Sequence, residues 1–333
     1  MVKFSEILNN KKEEKPKVEE KKEILSQELE KELDDSQKQY KKLLETCEKT
    51  CDKVYLKLSR KEKLSINEIK EFKKDIEETV EFLFNIENPL LIEEIFRDYP
   101  IEEYPKYHPR DVAFLSILIG KKLGYSKENL VELGIAGLLH EIGMFFLPQD
   151  VVLKKPKLTE EELEQVKKHP EYAAKYLSTV EDITENIIIA IYQEHERADG
   201  TGYPKGLKNE QIHEWAKIIG ISDTFVAMIH SRPYREKKLH PDKAISEIIE
   251  INGNHFSKDV VIAFLSLITP YPIGSWVKLN NGEIGKVKKI NEGSPKQPVV
   301  EIYFDSTGKK LQVPKEIDLS KESLYFISES ITK

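Results

Sequence analysis

Cysteine is scarce in this chain: Cys47 and Cys51 are the only two in 333 residues. That rules out a disulfide framework and fits a reducing compartment. Long apolar runs are also missing, since none approaches the roughly 18 residues of a membrane span. The opening MVKFSEILNNKKEEKPKVEEKK lacks the apolar core of a secretory signal, so the expected location is the cytoplasm. Nor is there an excess of positive charge. Fifty-two Lys and Arg stand against 59 Asp and Glu, a net charge of −7. A nucleic-acid duplex or an acidic membrane would need the counterion release that such a chain does not broadly supply. No repeat of solenoid period occurs.

What is present is charge, 33% of residues, and helical periodicity. Residues 1–34 are mostly Lys and Glu with almost no aromatics, the composition of a disordered or loosely helical tail. Over 35–98, YKKLLETCEKTCDKVYLKL and INEIKEFKKDIEETVEFLFNI space their apolar residues three and four apart, predicting a helical module that could form a homodimer. Cys47 and Cys51 fall on one helix face there, a spacing without evident chemistry. Ser65 followed by Glu68 is the pattern of a capping box.

From 99 to 269 the period stays helical, with Gly124 as a stop and Ser126 and Thr159 as starts. One loop, EHERADGTGYPKGLKNEQI, interrupts it with glycine and proline. After 270 the pattern alternates around Asn281-Gly282 and again around Thr307-Gly308, predicting a small antiparallel β module over 270–333. The expected fold is mainly α with this β module appended.

The chemistry starts at AGLLHEIGMFFLP, residues 136–148, where an apolar helix runs into His140 and Glu141. Burying both without partners would cost several kcal/mol. His108, His169 beside Pro170, the run Glu194, His195 and Glu196, and Asp223 stand at similar positions on other helices. Imidazoles and carboxylates at the buried ends of successive helices are how a helical bundle builds an inward-facing metal site.

The order His108, His140-Glu141, His169, His195, Asp223, with the loop ERADGTGYP and then SDTFVAMIHSRPYR, resembles the HD superfamily of metal-dependent phosphohydrolases, and within it the HD-GYP branch. The stretch YPIGSWVKLNNGEIGKV is similar to the tail of many HD-GYP proteins. The resemblance implies a helical domain over about 99–269 with a binuclear centre of two divalent ions, iron or manganese, with zinc as a further candidate. It implies hydrolysis of cyclic di-GMP to pGpG or GMP by a metal-bridging hydroxide, with no protein nucleophile. The implied metal ligands are His108, His140, Glu141, His169, Glu194, His195 and Asp223. Gly202, Tyr203 and Pro204 form the signature loop, and Gly202, Tyr203, Arg232 and Arg235 are implied substrate contacts. Glu196, Arg197 and Asp199 lie behind the ligands.

The chain departs from the family pattern at four points. Glu141 stands for an aspartate, Glu194 for the first histidine of an HHE stretch, Met144 for a phosphate-holding lysine, and Tyr104 for the glutamate of trinuclear members. Glu194 either ligates a metal or turns outward. The substitutions leave two other readings open: a degenerate domain that binds metal or nucleotide as a signalling receptor, and a hydrolase of another phosphoester. His213, His230, His240 and His255 match no ligand position, and Trp215 and Phe225 read as core.

Overall fold

The computed structural model describes residues 35–85, 95, 99–152, 159–231, 238–250, 254–268, 271, 273–291, 294 and 296–331. The expected tail at 1–34, and Arg232 and Arg235, lie outside the described residues. The chain divides into a helical unit, Tyr40–Leu267, and a second unit that includes Ile268–Lys333.

The helical unit begins with α1 (Asp35–Ser59) and α2 (Ile66–Asn85). On α1 the buried stripe runs Tyr40, Leu44, Cys47, Cys51, Val54, Tyr55 and Leu58, so both cysteines are core positions of an amphipathic helix. Burial, eased by the Thr79 hydroxyl, pushes the Cys47 thiol up to about 12, which makes it inert. The capping box forms: Ser65 N–H donates to Glu68 Oε2 at 2.8 Å, and Glu68 N–H donates to Ser65 Oγ at 3.4 Å. Tyr40 packs its ring on Phe82 of α2 and on Phe114. The helices of 40–85 therefore share a core with the helical segment beyond residue 99.

Next come α3 (Tyr104–Lys122), α4 (Lys127–Leu139), a 3₁₀ segment (His140–Phe146), α5 (Gln149–Val152) and α6 (Glu160–Val166). After them run α7 (His169–Leu177), α8 (Glu185–Gln193), α9 (Glu214–Ile229), α10 (Pro241–Glu250) and α11 (Lys258–Leu267). Gly124 ends α3 at φ +84, Ser126 caps α4, and Thr159 caps α6 through a capping box with Glu162. From His108 to Gly120, α3 is buried on every side, as is most of α9, so these two helices form the centre of the unit. A Cβ on Gly137 of α4 would lie 2.8 Å from Ala113 Cα; glycine lets the two histidine-bearing helices come this close. The stretch Lys127–Phe146 is apolar enough to cross a membrane, but most of it is buried as core.

The β module is one antiparallel sheet in the order β4-β3-β2-β1-β5, built from β1 (Trp276–Leu279), β2 (Ile284–Lys289), β3 (Val299–Phe304), β4 (Lys310–Asp318) and β5 (Ile327–Ile331). Asn281-Gly282 turns β1 into β2, with Trp276 opposite Lys286. Thr307-Gly308 turns β3 into β4, with Phe304 opposite Lys310. Gly282 and Gly308 both have positive φ, which explains glycine at each turn. Val277, Leu279, Val287, Val300, Ile302, Ile317 and Leu319 make the module's own core.

Candidate metal centre

Two groups of donor atoms converge inside the helical unit. The first holds His108 (α3), His140 and Glu141 (the end of α4) and Asp223 (α9), with ligand atoms within 4.8 Å of one another. His108 Nε2 lies 3.1 Å from Asp223 Oδ1 and 3.8 Å from Glu141 Oε1. The second holds His169 (the first residue of α7), Glu194 and His195 (just past α8). Six of these seven side chains sit at or near a helix terminus, which brings polar groups into an apolar interior without breaking a helix.

Backbone carbonyls fix two of the ring tautomers. His140 Nδ1 lies 2.7 Å from Gly137 O, and His169 Nδ1 lies 2.8 Å from Val166 O. A carbonyl only accepts, so Nδ1 carries the hydrogen in both rings and Nε2 keeps its lone pair in the neutral form. His140 Nε2 and both Glu194 oxygens are buried without a hydrogen-bond partner among the described residues, a costly state unless a cation takes the lone pairs.

The second group passes a sharper test of fit. His169 Nε2 and His195 Nε2 are 3.1 Å apart, and Glu194 Oε1 lies 3.6 Å and 3.9 Å from them, so the point equidistant from all three atoms is about 2.1 Å from each, the length of a metal–imidazole bond. Two imidazoles and one carboxylate leave further coordination positions open, a donor set suited to divalent iron.

The charges join the two groups into one electrostatic centre. Burial opposes the charged form of His140, but Glu194, Glu141 and Asp223 outweigh it and hold its pKa above the ordinary value. His169 is raised in the same way, against burial, chiefly by Glu194. His195 falls well below the ordinary value through burial and the neighbouring His169. Burial raises Glu194 despite the imidazoles of His140 and His169. Protons retained in this way are those that a bound cation would displace.

Glu194 does not turn outward. It is fully buried, and Arg197 Nη1 donates to its carbonyl at 3.2 Å. Tyr104 stacks on His108 with centroids 4.7 Å apart. In the signature loop, Tyr203 stacks on His195 at 4.7 Å, and its N–H donates to His195 O at 3.1 Å. A Cβ on Gly202 would come within 2.3 Å of Arg197 N, so only glycine lets the loop lie on the ligand stretch. The Tyr203–Pro204 bond is cis.

Residues expected behind the ligands work mainly on this loop. The buried Glu196 carboxylate accepts from Lys205 N at 2.6 Å and Leu207 N at 2.8 Å, and Asp199 accepts from Thr201 N at 3.0 Å. The remaining histidines that show a role stand apart from the donor groups. His213 caps α9, His230 Nε2 donates to Ile95 O at 2.8 Å, and His255 lies 3.5 Å from Asp199. Trp215 and Phe225 are core. Sequence reasoning missed Gly143, whose Cβ would lie 1.9 Å from His169 O, although a glycine directly after the apolar Ile142 in HEIG marked a close approach. It also missed Tyr55, whose hydroxyl donates to Leu138 O at 3.1 Å and which no motif marks.

The profile of a family described as HD domain matches residues 5–260. The chain belongs to the HD domain family. Its domain is of the HD-GYP type, and the match starts well before the domain boundary expected at residue 99. A second profile, described as a KOW domain associated with an HD domain, matches residues 276–333. A cyclic di-GMP phosphodiesterase of Pseudomonas aeruginosa is 34% identical over 216 residues, 65% of this HD-domain chain and 51% of its own. One of Borreliella burgdorferi is 34% identical over 206 residues, 62% and 54% of the two chains. A 3'3'-cGAMP-specific phosphodiesterase of Vibrio cholerae is 34% identical over 130 residues, 38% of this chain and 30% of its own. The chain thus spans about half the length, or less, of these curated relatives. An HDG"Y"P protein from Bdellovibrio bacteriovorus superposes with a TM-score of 0.56 at 18% identity, covering 70% of this chain and 72% of that one. That likeness shows the fold.

Proposed function

We propose that this HD-domain protein is a metal-dependent phosphodiesterase that hydrolyses cyclic di-GMP to pGpG or GMP. The observation that carries the reading is the pair of largely buried donor groups, four imidazoles and three carboxylates, of which one group frames a point at metal-bond distance. His108, His140, Glu141 and Asp223 would hold one divalent ion, and His169, Glu194 and His195 the other, with iron or manganese preferred and zinc as a further candidate. Such a pair supplies Lewis acidity and lowers the pKa of bound water towards neutrality. The protein's part is to hold four lone pairs and three carboxylates in place, with Nδ1 of His140 and of His169 turned away. Tyr203 covers His195 and forms the wall against which a nucleotide would lie. The third carboxylate makes the centre more anionic than an HHE site, so substrate phosphates are held less strongly by charge alone. The relatives named for cyclic di-GMP, with another named for 3'3'-cGAMP, support a cyclic dinucleotide as substrate.

We further propose a bacterial, cytoplasmic protein that forms a homodimer through the outer side of α1 and α2, where Leu56 and Ile66 stay exposed. The deciding experiment is incubation of the full chain, purified anaerobically and loaded with iron or manganese, with cyclic di-GMP and 3'3'-cGAMP. Products are followed by chromatography. Release of pGpG or GMP, lost in His140→Ala, supports the enzyme. About two bound metals without turnover of either nucleotide overturns it in favour of a receptor.

A further inference from the structure

Among the described residues, the N-terminal helix α1 carries no donor to either metal group, yet it makes buried polar contacts beside His108 and His140. Tyr55 of α1 is buried, and its hydroxyl donates to Leu138 O at 3.1 Å. Leu138 lies in the last turn of α4, two residues before His140, where the helix tightens into the 3₁₀ segment. Carbonyls of a last helical turn lack intrahelical donors, and Tyr55 supplies one at the point from which His140 projects. The same ring packs on Phe145 at 5.3 Å between centroids, so Tyr55 touches the chain on both sides of the His140–Glu141 pair. Two turns earlier in α1, Glu48 accepts from Arg110 Nη1. Arg110 lies two residues after His108 and is itself buried. The other edge of its guanidinium binds Asp111 at 2.6 and 2.8 Å. Helix α1 thus holds the two helices that present His108 and His140. The second group has different supports: Val166 O for His169, Arg197 for the carbonyl of Glu194, and the loop clamped by Glu196.

We infer that Tyr55 and Glu48 are positioning residues for the first metal position alone. This rests on reading the two donor groups as metal positions, but not on the identity of the substrate.

The test titrates metal-free full-length protein with Mn²⁺, following free Mn²⁺ by electron paramagnetic resonance. Tyr55→Phe keeps the ring and removes one hydroxyl, so it folds. Glu48→Gln is the second variant. Each is measured in two backgrounds: His195→Ala, which leaves the first position, and Asp223→Ala, which leaves the second. Loss of a partner that orients ligands weakens metal affinity about 10–100-fold. That loss is expected in the His195→Ala background, with no more than a twofold change in the Asp223→Ala background. Lys53→Gln, which removes an exposed α1–α2 pair with Glu71, should change neither. Equal weakening in both backgrounds would mean general destabilisation and would overturn the assignment. Unchanged affinity in both would overturn it as well. If the wild type binds two Mn²⁺, shows the asymmetry and cleaves no cyclic dinucleotide, the inference stands and the proposed substrate fails.

Discussion

Replacing Gly143 by alanine adds one carbon at the most crowded point of the metal centre. The backbone there is one that any residue adopts, because Gly143 is not among the glycines with positive φ. The whole cost is therefore steric. Its Cβ would lie 1.9 Å from His169 O and 2.7 Å from His169 C. Ordinary contact begins near 3.4 Å, so the His140–Phe146 segment and the start of α7 must separate by about 1.5 Å. His169 Nδ1 is tied to Val166 O, so its ring moves with its backbone, and the 3.1 Å spacing to His195 opens. Overpacking of this kind costs about 1–3 kcal/mol of stability, and misplacing a catalytic group by about 1 Å costs on the order of 10²-fold in rate. The expected result for Gly143→Ala is a folded protein that loses metal from the second position, with kcat/KM down about 10²-fold. Metal content by mass spectrometry, urea denaturation and nucleotide turnover check the three parts. Gly124→Ala is the control: its φ is +84 with no atom within 4 Å of the added carbon. It should cost about 1 kcal/mol and leave metal content alone. A Gly143→Ala protein with full metal content and wild-type turnover would refute the packing argument.

Glu194→Ala should remove one of three donors and weaken the second metal position by roughly 10²–10³-fold, taking about 10–16 kcal/mol for a four-ligand site as a per-ligand guide; equilibrium dialysis with Mn²⁺ measures it, and unchanged binding would place Glu194 outside the coordination sphere. Glu196→Ala leaves the N–H groups of Lys205 and Leu207 without their acceptor. At about 1–3 kcal/mol for such a loss, hydrogen exchange of the 199–207 loop should quicken at least fivefold while the β module stays protected. For Glu68, partial burial opposes ionisation, but Lys57 and Ser65 prevail and lower its pKa from 4.5 to about 2. A depressed carboxyl stabilises the fold above its unfolded value and loses that contribution as pH falls towards 2. Glu68→Gln should therefore cost about 1–2 kcal/mol at pH 7, allowing for solvent screening, with the difference shrinking through pH 2 and gone below it. Denaturation curves of both proteins across that range would show the gap closing, and a gap independent of pH would refute the assignment.

The sequence by itself determined most of what is local. The helical stripe of α1, the Ser65–Glu68 and Thr159 caps, the stop at Gly124 and the turns at Gly282 and Gly308 follow from side-chain period and backbone preference within a few residues. The ligand types were legible too, because an imidazole beside a carboxylate at the end of an apolar helix is costly to bury unless both meet a cation. β5 was harder to see: three of the five residues of ISESI are polar, and only pairing with β1 makes it a strand. Tertiary structure alone decided that Glu194 faces His169 and His195, since a residue at a helix end can turn inward or outward at the same local cost. It also decided that Glu196 binds loop amides, that Tyr104 covers His108, and that α1 braces the helices of His108 and His140. Tyr104 and His108 are one helical turn apart on α3, but the other contacts join segments that are separate in the chain, for example Tyr55 and Leu138, and no periodicity along the chain records which helix faces which.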